Sequence, residues 1–213
     1  MTRLFITRPQ HDKGTYYLYI WSKKIIDSAE DHGWIVNKSD GPKATRAEVQ
    51  SRLEKNSADF VFFNGHGNES EMSGHNLETI LDESSSHLLK NTITFTRACN
   101  CVVKLGKSAV DKGCKSFIGY AGKFWIPRIH KFELTPLKDM AAKPVLEVSN
   151  QIPLSIIKNC TASEAVDSAR ALTIKYISKL ILSREPYNRA ALKALSQNDD
   201  SLAYKGNGDA KIG

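Results

Sequence analysis

Short apolar runs alternate with amphipathic stretches along most of this chain. RLFIT (Arg3–Thr7) reads as a first strand, broken by Pro9. From Thr15 to His32, Tyr19, Ile20, Ile25 and Ile26 fall among polar residues at helical spacing, and Gly33 supplies the stop. WIVNK (Trp34–Lys38) follows as a second strand and DGPK as a turn. Thr45–Lys55 is patterned as a helix, with Thr45 three residues before Glu48 in a capping box. DFVFF (Asp59–Phe63) is almost wholly apolar, as a strand covered on both faces should be. TITFTRA (Thr92–Ala98), a helix over Val102–Gly113, the strand SFIGY (Ser116–Tyr120) and a long helix over Ser163–Leu182 continue the alternation. Between the third and fourth strands runs a long polar connection, residues 68–91, with a short helix expected near Ser84–Leu89. Such a connection inside a compact domain usually serves function. From Arg184 onward the composition turns polar and rich in glycine, so one domain over residues 1–183 and a flexible tail over 184–213 are expected.

Strand–helix alternation of this kind predicts an α/β fold in three layers: a mostly parallel central sheet with helices on both faces. In such sheets, function gathers at the carboxyl ends of the strands. The residues just after Phe63 and just after Ala98 should therefore share one rim, on neighbouring strands. After the third strand stands His66, between Gly65 and Gly67; after the fourth stands Cys99, in TFTRACNC.

A histidine and a cysteine on one rim suit a thiol nucleophile. The imidazole takes the thiol proton and the thiolate attacks a carbonyl carbon. The resulting oxyanion needs N–H donors, for which the backbone amides of Gly67 and Cys99 are the candidates, the latter at the start of a helix. Cys101 is the rival nucleophile, but its place inside that helix should turn its sulfur from the rim.

Composition narrows the classes. Hydrophobic residues make up 41% and charged residues 25% of 213, as in an ordinary globular protein. No stretch approaches the ~18 apolar residues of a membrane span, and the N-terminus lacks the apolar core of a signal peptide, so the cytoplasm is the expected location. Four cysteines are too few for a disulfide framework, and Cys99, Cys101, Cys114 and Cys160 read as thiols. Net charge is −1 over residues 1–100 and +8 over residues 101–213. The basic residues of the second half are scattered without aromatic interleaving, which marks a solvated face rather than a nucleic-acid surface.

FFNGHG followed by TFTRACNC resembles the caspase–gingipain clan of cysteine peptidases, which includes metacaspases, separases and bacterial CHAT-domain proteases. DKGCKSFIGYAGKFW is similar to the strand that follows the catalytic helix in CHAT and gingipain-like members. The resemblance implies a caspase-like sandwich and a cysteine endopeptidase with Cys99 as nucleophile and His66 as base, without an obligatory third residue. It implies a protein or peptide substrate, no cofactor and no catalytic metal, and latency until a partner protein or processing activates the chain. The His66–Cys99 gap is 33 residues, shorter than the roughly 50 of caspases, which a trimmed loop explains. In metacaspase-type relatives an acid two positions before the nucleophile selects basic P1 residues. Here Arg97 stands there, which leans towards an acidic or uncharged P1; the other readings are that Arg97 faces Glu69 or Glu71 and only closes the cleft, or that an acid elsewhere gives a basic P1 preference. Lys123–Lys143 is a place for a mobile activation segment.

Two other classes compete. A Cys2His2 zinc site from Cys99, Cys101, His66 and His75 lacks the usual C-x-x-C spacing. His11, His32, His87 and His130 have no evident partner. A catalytically inactive binding or scaffold module is the alternative, although no glycine-rich phosphate loop supports nucleotide binding.

Overall fold

The apolar runs come together as a six-stranded sheet in the order β2-β1-β3-β7-β8-β9, in a computed structural model that describes all 213 residues. Its strands are β1 (Arg3–Arg8), β2 (Ile35–Asp40), β3 (Phe60–Asn64), β7 (Ile93–Arg97), β8 (Ser116–Tyr120) and β9 (Leu202–Gly206). The first five run parallel and β9 closes the edge antiparallel to β8. β3 and β7 are direct neighbours, with Asn64 opposite Arg97, so the two strand ends leave the sheet side by side.

The period of two hidden in the apolar runs builds both cores. Leu4, Ile6, Phe60, Phe62, Phe95 and Ile118 point to one face and meet helices α2 (Lys23–Asp31), α5 (Ala142–Ile157), α6 (Ala162–Leu182) and α7 (Asn188–Ser201). Phe5, Val61, Phe63 and Phe117 point to the other and meet α3 (Arg46–Lys55) and α4 (Leu105–Asp111). The expected three-layer α/β sandwich is therefore the observed one.

Four local expectations are corrected. The helix expected over Thr15–His32 is two, α1 (Lys13–Trp21) and α2, broken at buried Ser22, whose hydroxyl donates to the Tyr19 carbonyl. The connection over residues 68–91 is partly β-structure. A small antiparallel sheet of β4 (His66–Gly67), β5 (Glu71–Ser73) and β6 (Thr79–Asp82) packs Met72, Ile80 and Leu81 onto the second core, and a 3-10 turn at Ser85–Leu89 follows. The helix expected from Val102 starts only at Leu105, because residues 101–104 form turns. The segment 184–213, expected as a flexible tail, instead supplies α7 and β9, and Ala210 and Ile212 are buried beyond them. Its buried face is made largely of small residues, Ala191 and Ala194 beside Leu195, so polar composition hides a helix that packs closely.

Candidate active site

Three parallel strands end at one rim, and each contributes chemistry there. After β1 the chain runs through Pro9 and Gln10 to His11 and Asp12; after β3 it reaches His66; after β7 it reaches Cys99. Asp12, His66, Arg97, Cys99 and Trp125 line one cleft of about 470 Å³.

Asp12 is the N-cap of α1. Its Oδ1 accepts the Thr15 backbone N–H at 2.8 Å, and the Thr15 hydroxyl closes a reciprocal capping box. The cap fixes the carboxylate, and its other oxygen, Oδ2, lies 2.6 Å from His66 Nε2. Burial alone would push the Asp12 carboxyl up, but the Thr15 N–H and the hydrogen bond from His66 outweigh it and hold the carboxyl below its ordinary range. Asp12 thus pins one ring nitrogen of His66, leaving Nδ1 for a second partner. Sequence reasoning missed Asp12. Its signal was present, because an Asp followed three residues later by Thr, after a strand ending at the same rim, marks both a cap and a rim position.

Cys99 is half-buried, and its Sγ accepts the Phe124 backbone N–H at 3.4 Å. Its own backbone N–H has no partner within the protein. Asn100 takes a left-handed conformation (φ 59°) and bonds the Gly122 carbonyl, which turns the chain sharply after the cysteine. Because α4 starts six residues later, the Cys99 N–H belongs to this turn and not to a helix start as expected.

Cys101 is fully buried, 3.6 Å from the Glu71 carbonyl, and burial with Cys99 and Glu71 nearby pushes its thiol far up. It lies outside the cleft lining, although in a turn rather than in the expected helix. Burial likewise pushes Cys114 up. The weighed set of Cys99, Cys101, His66 and His75 is not assembled, since the Cys101 sulfur is packed beneath Gly67.

The two glycines around His66 have separate reasons. A Cβ on Gly65 would stand 2.1 Å from the Ser73 carbonyl oxygen, and one on Gly67 would stand 2.4 Å from the Cys101 sulfur. Close approach of β4 to its neighbours requires both. Asn68 N–H bonds the Glu71 carbonyl, so by alternation the next pair, Gly67–Met72, is non-hydrogen-bonded and the Gly67 N–H points away from β5.

Arg97 is wholly buried at the cleft floor. Its Nε donates to Asn64 Oδ1 at 2.8 Å and its Nη1 to Asn150 Oδ1 at 2.7 Å, over the Phe62 ring at 4.7 Å. Nη2 has no partner. No acid neutralises it, contrary to the reading that placed Glu69 or Glu71 opposite. Glu69 pairs with Lys104, and Glu71 bonds Asn68 and Thr79. Burial pulls the guanidinium pKa down to about 9, which still leaves it charged at neutral pH.

The segment Lys123–Lys143, expected to be mobile, is irregular but tied down. Trp125 exchanges two hydrogen bonds with Asn198, and Asp139 accepts from the Tyr17 hydroxyl and from Ile129, Ala141 and Ala142 N–H groups.

A mostly parallel six-stranded sheet between two helical layers is a caspase-like α/β fold. Among solved structures it is similar to the Arg-specific cysteine proteinase gingipain R, with a TM-score of 0.63, 13% identity, and coverage of 99% of this chain and 47% of that one. It is also similar to the complex of Porphyromonas gingivalis RgpB pro- and mature domains (TM-score 0.60, 11% identity, 99% and 48% covered) and to a further structure described only as a protease (0.57, 14%, 99% and 48%). The chain spans about half the length of these proteins. No family model matches the sequence, and no curated protein does. The likeness therefore stands at the level of the fold, with no closer subtype.

Proposed function

We propose that this chain is a cysteine endopeptidase in which Cys99 is the nucleophile, His66 the general base and acid, and Asp12 the residue that orients His66. The observation that carries the reading is the fixed Asp12–His66 pair, at 2.6 Å, in the same cleft as a half-buried thiol. His66 Nδ1 takes the Cys99 proton, the thiolate adds to the substrate carbonyl, and Asp12 stabilises the imidazolium. The unpaired Cys99 N–H and the outward-pointing Gly67 N–H are the oxyanion donors. His66 then protonates the leaving amine, a thioester remains on Cys99, and water releases the product.

The substrate preference follows from the floor of the cleft. Lys13, Arg97 and Arg128 line it, Asp12 is its one acid, and that acid is engaged by His66. A buried guanidinium without a counter-charge is costly, and its field, with those of Lys13 and Arg128, favours a carboxylate in the cleft above it. The substrate therefore carries an acidic P1 side chain. This contrasts with the Arg-specific neighbour. Latency fits the Phe124 N–H on the Cys99 sulfur, which a regulator or processing event that shifts residues 121–141 would free.

A peptide library randomised at P1 tests this reading. Cleavage after Asp or Glu, absent in Cys99→Ala, is expected. Cleavage retained by Cys99→Ala would overturn the nucleophile, and cleavage after Lys or Arg would overturn the role of Arg97. A chain that neither cleaves nor reacts with thiol-directed peptide probes would be the binding module instead.

A further inference from the structure

Behind the proposed base lies a group of imidazoles with no assigned task. His11 Nε2, Asp12 Oδ2 and His66 Nε2 face one another, the ligand atoms of all three residues lying within 4.8 Å. The His11 side chain is only 10% exposed, and neither of its ring nitrogens has a hydrogen-bond partner. Its Nε2 stands 3.4 Å from Asp12 Oδ2. The His75 ring packs edge-on against it at 5.4 Å, with its own Nδ1 buried and unpaired. A buried imidazole lacking both partners loses hydration without compensation, which marks its nitrogens as candidate ligand atoms.

We propose that His11, Asp12 and His66 form a zinc site, and that its occupancy switches the peptidase off. Two imidazoles and one carboxylate, with a fourth position open to water, suit zinc better than calcium or magnesium, which prefer all-oxygen shells. The three ligand atoms, within 4.8 Å of one another, must close to a tetrahedral edge by small side-chain shifts. Ligands at the Zn–N and Zn–O distances of a tetrahedral site stand about 3.3 Å apart. His11 and Asp12 already stand at 3.4 Å, while Asp12 and His66 must part from 2.6 Å. Zinc replaces the proton between His66 Nε2 and Asp12, and that proton moves to Nδ1. His66 then presents an N–H to Cys99 and has no lone pair left to accept the thiol proton. The block needs no contact with the sulfur and is reversed by a chelator.

The switch, though not the binding, rests on the proposed peptidase reading, so the two are measured separately. The full chain is titrated with zinc against a chromophoric chelator, and with cobalt to read the ligand-field spectrum. One equivalent is expected to bind, with no thiolate charge-transfer band. Cys99→Ala should bind as the wild type does. His11→Gln should lose more affinity than the 10–100-fold that follows loss of an outer-shell partner, while keeping basal turnover and escaping zinc inhibition. Equal zinc affinity in His11→Gln and wild type would overturn the site, as would loss of binding in Cys99→Ala. Should His11→Gln fail to fold, His11→Asn replaces it with the same two outcomes. His11-dependent zinc binding by a chain that, stripped of metal, neither cleaves peptides nor takes up a thiol-directed peptide probe at Cys99 would uphold the site and refute the peptidase reading.

Discussion

Replacing Asp12 by Asn separates the two tasks the structure gives to that side chain. Asn caps a helix about as well as Asp, and its Oδ1 can still accept the Thr15 N–H, so α1 should survive. The charge opposite His66 disappears, and the atom that replaces Oδ2 is an amide nitrogen that donates to Nε2, so the ring proton moves to Nδ1. A hydrogen bond to a charged group contributes about 1.5–3 kcal/mol. Here the two side chains are 46% and 38% exposed, and screening at that exposure reduces the figure to about 1–2 kcal/mol. At about 1.36 kcal/mol per decade the lost charge alone would lower kcat/KM about 5- to 30-fold. The reversed tautomer, which leaves His66 Nδ1 no lone pair for the thiol proton, takes the expected loss to the order of ~10⁴-fold. The loss should sit in kcat, with KM little changed, because Asp12 acts on the imidazolium that forms during reaction. Thermal denaturation alongside steady-state cleavage of an acidic-P1 peptide checks both parts. Asp12→Ala should add the loss of the cap, about 1 kcal/mol of stability. Full activity in Asp12→Asn would reduce Asp12 to a cap, and a loss no larger than the about 5- to 30-fold of the charge alone would mean that Asp12 does not set the His66 tautomer.

Other outcomes follow from the packing. Gly67→Ala drives a methyl group into the Cys101 sulfur and should lower the melting temperature markedly; Cys101→Ala in the same chain should restore part of that loss, a non-additivity read by denaturant titration. Burial raises the Asp82 carboxyl, yet hydrogen bonds from Ser84, Ser85 and Arg46 outweigh it and hold its pKa well below the ordinary carboxylate value. A depressed folded-state pKa contributes stability that is complete above the unfolded value of about 3.9 and is lost as pH falls below it. Asp82→Asn should therefore be less stable at pH 7 and show a flatter acid limb between pH 4 and 2; an unchanged slope would refute the role. Deleting residues 184–213 uncovers the β8 edge and removes Leu195, Leu202 and Ile212 from the first core, so the shortened chain should aggregate; a soluble, cooperatively folding product would refute the role of α7 and β9.

The parallel sheet was legible because DFVFF is almost wholly apolar, which only a covered strand tolerates, and because TITFTRA and SFIGY alternate with helix-patterned stretches. That placed the ends of β3 and β7, and with them His66 and Cys99, on one rim. Less visible were elements whose signal is local and weak. β4 and β5 are two and three residues long, and their glycines and serines look like loop until Met72 is buried against the second core. The buried face of α7 combines Ala191 and Ala194 with Asn188, Asn198 and a single Leu195, which carries little hydrophobic pattern. Arg97 was noticed as a charge beside the nucleophile, but only the fold shows Asn64 and Asn150 holding it without an acid. Asp12 and His11 follow the first strand as His66 and Cys99 follow theirs, but Pro9 and Gln10 intervene, and only the fold brings them back to the rim.

The central claim is that Cys99, activated by His66, is the reactive thiol among four. A peptidyl acyloxymethyl ketone with Asp at P1, incubated with the full chain freed of metal by a chelator and followed by mass spectrometry of its peptides, tests it directly. One adduct is expected, on Cys99, formed slowly or not at all in His66→Ala at neutral pH. Buried Cys101 and Cys114 should stay unmodified. An adduct on Cys160 or Cys101 in place of Cys99, or undiminished labelling of Cys99 in His66→Ala, would contradict the assignment.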